Sequence, residues 1–186
     1  MFRTSSNLVA CAAVLRGGGV LAYPTETVYG LGCRADHRAA IRRIIELKRR
    51  EIDKGLILIG ADLAQLLPYA APLSPALIQT LMMPRPRPTS WVVPVAAGLD
   101  PLLSGGRPTL AIRVTSSPVA RELCRLADGA LVSTSANPSG ERPATRPEEL
   151  APSLARAVDL IVAGECAADA VPSQIIDLLS GAILRA

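Results

Sequence analysis

The chain has 186 residues, 49% of them hydrophobic and 19% charged, a balance that fits one folded domain spanning residues 1–186 and excludes a disordered chain. No apolar run approaches the length of a membrane span, so a cytoplasmic protein with no membrane partner is expected. The net charge of +4, carried almost wholly by arginine, favours an anionic partner such as a nucleotide, phosphate or nucleic acid without choosing among them.

The segment from about Ser6 to Arg16 predicts a first helix with Ser5 or Ser6 as cap. It is too short and too poorly basic upstream to read as a signal segment. After Gly17-Gly18-Gly19 the apolar run Val20 to Tyr23 predicts a strand, and Pro24 suits its end because proline cannot donate to a ladder. A polar loop follows: Thr25-Glu26-Thr27-Val28-Tyr29-Gly30. Ligands of α/β proteins gather at strand ends, though a capped turn would use the same residues. From about Arg38 a helix carries Ile41, Ile44 and Ile45 at i, i+3, i+4 and continues that stripe to Lys48. The chain has twenty basic residues, and its two lysines, Lys48 and Lys54, both lie in Lys48-Arg49-Arg50-Glu51-Ile52-Asp53-Lys54. A chain that elsewhere uses arginine places a compact, flexible ammonium here, either for function or on a solvated helix end.

Gly55 to Ile59 predicts a central, wholly apolar strand. Asp62 to Tyr69 and Ser74 to Met83 read as short helices, followed by the loop Pro84-Arg85-Pro86-Arg87-Pro88-Thr89 and a strand over Ser90 to Val95. Leu110 to Val114 is a further strand with Arg113 inside it. A buried arginine needs a partner, either an anionic ligand or an ion pair. Ser117-Pro118 opens a helix to about Ala127 in cap-then-proline order. Ala130 to Val132 predicts a strand running into Ser133-Thr134-Ser135-Ala136-Asn137-Pro138-Ser139-Gly140, again hydroxyls and an amide at a strand end. Thr145 to Glu148 has capping-box spacing, and a helix follows to about Ala157. Leu160 to Val162 and Ser173 to Asp177 predict strands, and Ala182 to Arg185 a last edge strand. The class is α/β, with an open, twisted, mixed sheet and flanking helices.

Phosphate-loop, dinucleotide-binding and nucleophile-elbow motifs are absent from the sequence. Four cysteines without CxxC spacing read as reduced thiols, and a single histidine, His37, excludes a multi-histidine zinc site; no protein metal site is expected. Lys48, Arg50, Lys54 and Arg113, together with Thr25, Thr27, Ser133, Ser135 and Asn137, suit a triphosphate and a small polar substrate. The chemistry would rest on positioning and charge stabilisation.

Five motifs, in order, carry a resemblance: Tyr-Pro-Thr-Glu-Thr-Val-Tyr-Gly-Leu-Gly, Lys-x-Arg with Asp-Lys-Gly-Leu-Ile-Leu-Ile, Ser-Trp-Val-Val-Pro, Leu-Ala-Ile-Arg-Val and Ser-Thr-Ser-Ala-Asn-Pro-Ser-Gly. From about Leu8 to Asp177 the chain resembles the YrdC-like family in its short, single-domain bacterial form. The resemblance implies an open α/β sheet with a basic concave cleft. It implies condensation of L-threonine, bicarbonate and ATP into threonylcarbamoyl-adenylate and pyrophosphate, with Mg²⁺ shielding the phosphates. Partner proteins would then pass the threonylcarbamoyl group to tRNA. By motif, Thr25, Thr27, Ser135 and Ser173 would hold threonine and bicarbonate. Lys48 and Arg50 would be catalytic and, with Lys54, Ser90, Arg113, Asn137 and Thr145, would hold ATP.

The chain departs from the family at Arg85-Pro86-Arg87-Pro88, at Glu51 and at the loop Gly164 to Asp169, changes that bear on loop shape and nucleotide affinity. A different class of function is a non-catalytic module that binds double-stranded RNA or tRNA, favoured by Arg85 and Arg87 but weakened by sparse aromatics. A carbamoyl-adenylating domain of the hydrogenase-maturation type is an enzymatic rival, but those domains sit in longer chains with zinc-binding segments. Lys48→Ala and Arg50→Ala are expected to cripple ATP use with the fold intact.

Overall fold

The computed structural model describes residues 3–138, 140–167 and 173–185. Among them ten strands form one mixed sheet: β1 (Thr4–Ser5), β2 (Leu21–Pro24), β3 (Tyr29–Gly32), β4 (Ile57–Gly60), β5 (Thr89–Pro94), β6 (Thr109–Val114), β7 (Leu131–Ser135), β8 (Leu160–Val162), β9 (Gln174–Asp177) and β10 (Ile183–Arg185). Their spatial order is β1-β8-β2-β3-β7-β4-β6-β5-β9-β10. β4 is central, as its unbroken apolar run implies, with parallel β6 on one side and antiparallel β7 on the other. β10 is an edge strand, antiparallel to β9.

The helices are α1 (Leu8–Arg16), α2 (Arg38–Leu47), α3 (Pro75–Met82), α4 (Pro101–Ser104), α5 (Pro118–Ala127) and α6 (Pro152–Ala157). α5 starts as its sequence dictates, with Ser117 Oγ accepting from the amide of Ala120 and Pro118 in the first turn. α2 buries Ala40, Ile41, Ile44 and Ile45 on one stripe.

Several expectations are corrected. The cap of α1 is Asn7, whose Oδ1 accepts from Ala10 N; Ser5 Oγ instead accepts from the Asn7 amide. Tyr29 to Gly32 is a strand, so the polar stretch after Pro24 is a hairpin turn rather than a long loop. Residues 62–63 are bends, 64–66 a turn and Leu67–Tyr69 a single 3₁₀ turn, because Pro68 removes the amide that a longer helix would need. Thr145 does not form a box with Glu148; its amide and hydroxyl both donate to Glu149 Oε2, at 2.8 and 2.9 Å. Residues 147–149 are then a 3₁₀ turn, and the chain re-enters a helix at Pro152.

Strand alternation divides the core. Leu58, Ile112 and Val132 belong to the cluster on the α2 face, whereas Ile59, Leu131, Tyr23 and Leu21 join the cluster with α1 and α5. In the α1–α5 direction, two residues along from Leu131 lies Ser133 and two along from Ile59 lies Ile57; Arg113 pairs in register with Ile59, and Ser133 with Ile57. On this face the side chains turn from apolar to polar and cationic where the cluster with α1 and α5 ends.

Candidate active site

A cavity of about 330 Å³ lies on that face, with Ile57, Arg113, Ser133 and Ser135 contributed by β4, β6 and β7. Its wall is the β2–β3 turn. Pro24 pairs with Tyr29 across the hairpin, and Thr25 Oγ1 donates to Val28 O at 2.7 Å, which holds the turn tight. Tyr29 is wholly buried and its hydroxyl lies 2.8 Å from Val162 O and 2.7 Å from Gly164 O, anchoring the hairpin to the β8 end. A Cβ on Gly30 would stand 2.9 Å from Thr25 Cγ2 and 3.3 Å from Ser133 Oγ. Glycine therefore keeps this part of the cavity open.

Lys48 follows the last turn of α2 and is 4% exposed. Its Nζ donates to Ser135 O at 2.5 Å, to Asn137 O at 2.6 Å and to Asn137 Oδ1 at 3.2 Å. Its three N–H groups thus meet three acceptors on the strand-end loop. Burial, with the nearby charge of Arg50, brings the ammonium down to about 8. Arg49 adopts a left-handed conformation, φ 47°, and the chain returns so that Arg50 faces the cavity. Arg50 Nε and Nη2 donate to Gly55 O at 3.1 and 2.9 Å. Burial and the nearby Arg107 lower the proton affinity of Arg50.

Arg113 is 9% exposed, with Nη2 3.4 Å from Glu26 Oε2. Its Nε is buried without a hydrogen-bond partner. Of the two readings open for a strand arginine, the ion pair is present, and the residue also lines the cavity. Glu26 Oε1 accepts from Thr115 Oγ1 at 2.7 Å and from Ser116 N at 2.8 Å. Burial pushes its carboxyl up, but Arg113 and these bonds outweigh burial and hold it below the usual range.

Ser173 is buried, its Oγ accepting from Arg185 Nη2 at 3.1 Å and its carbonyl accepting from the same nitrogen at 2.7 Å. Arg185 had only an edge-strand assignment from sequence. It ends β10, and the antiparallel pairing with β9 returns it beside Ser173 and into the cavity. Burial, then the charges of Arg113 and Arg87, lowers its proton affinity. The signal available in the sequence was one charge closing an otherwise apolar segment, Ala182-Ile183-Leu184-Arg185.

The cavity thus unites Thr25, Thr27, Arg50, Arg113, Ser133, Ser135 and Ser173, and adds Thr134, Pro143 and Arg185. The other expected residues do not line it. Lys48 and Asn137 stand behind its β7 wall, and Asn137 Nδ2 donates to Glu141 O. Lys54 is exposed and pairs with Glu51 at 2.9 Å, while its carbonyl receives Arg50 and Arg107. Ser90 is fully buried in β5 with no hydrogen-bond partner for its Oγ. Thr145 is occupied by Glu149. Ser139, Ala168 and Asp169 lie outside the described residues.

A second cavity of about 530 Å³ shares Arg113 and is lined by Leu63, Met82, Met83, Arg85, Arg87, Trp91 and Arg121 among others. Arg85 stacks over Trp91, its guanidinium carbon 4.8 Å from the ring centroid.

The smaller cavity offers guanidiniums and hydroxyls but no activated nucleophile. Cys33 and Cys124 are buried and their thiols pushed up to about 12. Among the described residues no group of three or more His, Cys, Asp or Glu could hold a metal. The arrangement can bind anions, orient a hydroxyl-bearing substrate and stabilise developing negative charge.

The Sua5_yciO_yrdC family model, described as "Telomere recombination", matches residues 13–186. The chain is 44% identical over 180 residues to the threonylcarbamoyl-AMP synthase of Stenotrophomonas maltophilia, covering 96% of this chain and 97% of the relative. It is 47% identical over 174 residues to that of Halorhodospira halophila, covering 94% and 91%. A crystal structure of P. abyssi Sua5 complexed with L-threonine superposes with a TM-score of 0.84 at 30% identity. That match takes in 91% of this chain and 50% of the Sua5 chain, so this chain spans about half of that protein's length. On the strength of a match over nearly its whole length, the chain belongs to the Sua5/YciO/YrdC family.

Proposed function

We propose that this chain is a threonylcarbamoyl-AMP synthase, condensing L-threonine, bicarbonate and ATP into threonylcarbamoyl-adenylate and pyrophosphate. The observation that carries it is one cavity in which Arg50, Arg113 and Arg185 converge on the hydroxyls of Thr27, Ser133, Ser135 and Ser173. A substrate with an amino acid's hydroxyl and carboxylate beside a polyphosphate satisfies both halves of that set, and a Sua5 relative has been solved with L-threonine.

In this reading the threonine amine attacks the bicarbonate carbon and water leaves, giving a carbamate. A carbamate oxygen then attacks the α-phosphorus of ATP and pyrophosphate leaves. Thr25, Thr27, Ser135 and Ser173 orient the amino acid, with the Thr25 hydroxyl acting through the turn it closes. Arg50, Arg113 and Arg185 hold the anionic carbamate and phosphates as charge redistributes. Lys48 and Asn137 act by fixing the end of β7 at Ser135 and the loop that follows it. Mg²⁺ would come with the triphosphate. The described residues offer no carboxylate cage for it, since Oε1 of Glu26 is taken up by Thr115 Oγ1 and Ser116 N. Partner proteins would carry the threonylcarbamoyl group onward to tRNA.

The test is pyrophosphate release from ATP with threonine and bicarbonate omitted in turn. Release that requires both is expected. No release under any combination, with salt-sensitive tRNA binding, would replace this reading by the RNA-binding one.

A further inference from the structure

We propose that Glu26 is a positioning residue for the reaction: it holds Arg113 toward the anionic substrate and locks the β2–β3 turn to the end of β6, without itself exchanging a proton with substrate. The inference rests on the synthase reading above.

The two side chains are nearly closed from solvent, 10% exposed for Arg113 and 8% for Glu26. A guanidinium this deep in a strand needs an opposite charge. Among the described residues, Glu26 is the one carboxylate ion-paired to an arginine of the smaller cavity. Its two oxygens are used differently. Oε1 accepts from Thr115 Oγ1 and Ser116 N, with Ser116 Oγ and Ser117 N further out at 3.4 Å each. Oε2 faces Arg113 at 3.4 Å, is buried, and has no hydrogen bond. The pair is therefore a charge contact rather than a bidentate clamp. It leaves the buried Nε of Arg113 unspent and the guanidinium with capacity for a further anion.

The same residue ties two walls of the site. Ser117 Oγ also donates to Pro24 O at 3.2 Å, so the turn bearing Thr25 and Thr27 is stitched to the strand end bearing Arg113. A general base would need an oxygen free to reach a substrate proton. Oε1 is filled by Thr115 Oγ1 and Ser116 N, and Oε2 faces the Arg113 guanidinium. A metal ligand would need company that the described residues lack.

The test is a double-variant cycle on the full chain, reading pyrophosphate release. Glu26→Gln keeps an acceptor for Thr115 and Ser116 and removes the charge facing Arg113. It should raise the KM of the same substrate that Arg113→Gln raises, by about tenfold or more, while kcat falls less. The double variant should be no worse than Arg113→Gln alone, because Glu26 acts through Arg113. Glu26→Asp, which retains the charge, should recover part of the loss. Additive effects would overturn the proposal, as would loss of the acid limb of the kcat profile in Glu26→Gln, which would make Glu26 a base. Should Glu26→Gln not fold, Thr115→Val removes the 2.7 Å bond to Oε1 and keeps the charge. The same KM should then rise, and an unchanged KM overturns the proposal. Wild-type chain that releases no pyrophosphate would instead refute the synthase reading.

Discussion

Lys48 and Asn137 are locked together: the lysine Nζ donates to both the backbone carbonyl and the side-chain oxygen of Asn137, while its third N–H goes to Ser135 O. The residue that a sequence reading would aim at a triphosphate is thus spent on the loop that shapes the cavity. Lys48→Met should leave the two buried oxygens of Asn137 without the lysine donor, while Ser135 O keeps the Asn137 amide, and lower stability by about 1–3 kcal/mol. It should lower pyrophosphate release as well, because Ser135 loses its support. Arg50→Ala should weaken ATP use with little loss of stability. Urea denaturation beside activity separates the two, and a Lys48→Met protein as stable as wild type would contradict the packing described.

The same ammonium gives a pH signature. Burial, reinforced by Arg50, brings it down to about 8 in the folded protein, from 10.5 unperturbed. Below pH 8 it is charged and all three bonds stand, so kcat/KM should fall along an alkaline limb near 8, and Lys48→Met should lack that limb. Stability moves the other way. Between 8 and 10.5 the unfolded chain holds the proton that the folded chain has lost, so Lys48's contribution to stability rises with pH across that window. Denaturation midpoints of wild type against Lys48→Met at pH 7 and pH 9.5 measure the sign.

Much of this was legible in sequence because local rules and tertiary packing agreed. The Ile41, Ile44, Ile45 stripe, the Ser117-Pro118 helix start and the apolar run of β4 each meet one physical demand, and each stands where expected. The motifs placed Thr27, Arg50, Arg113, Ser135 and Ser173 at one cavity. The failures have a common cause in long-range pairing. β3 is Tyr-Gly-Leu-Gly, which reads as a turn until Gly30 and Gly32 are seen to be required by crowding from Thr25 and Val132. Arg185 becomes a site residue only because β10 folds back on β9, a pairing twelve residues from Ser173 that no spacing rule reveals.

Arg185 therefore supplies a third prediction. It donates to the carbonyl and hydroxyl of Ser173 and adds a cation beside Arg113. Arg185→Lys retains charge but not the planar Nε–Nη2 fork that grips the Ser173 carbonyl. Arg185→Lys should raise the KM for threonine by about tenfold, and Arg185→Ala by more, with the midpoint of thermal unfolding shifted by only a few degrees. An unchanged KM in both variants would remove Arg185 from the site.

Gly30 tests whether the cavity itself is the threonine site. The position lies in β3, opposite Tyr23 on β2 and Ser135 on β7, with an ordinary extended backbone that alanine can adopt. What it lacks is room: an added Cβ meets Thr25 Cγ2 at 2.9 Å, Ser133 Oγ and Tyr23 Cε2 at 3.3 Å. Thr25 cannot swing aside cheaply, because its hydroxyl is committed to Val28 O and holds the turn. Tyr23 is wholly buried. The strain falls on the turn that carries Thr25 and Thr27 and on the Ser133 hydroxyl. Gly30→Ala should thus fold, with an overpacking cost of about 1–3 kcal/mol, and should lose threonine affinity far more than ATP affinity. Calorimetric titration of each substrate into the variant measures the two losses. Equal losses would mean that the cavity beside Gly30 does not belong to the amino acid, and retention of both would mean that neither substrate uses it.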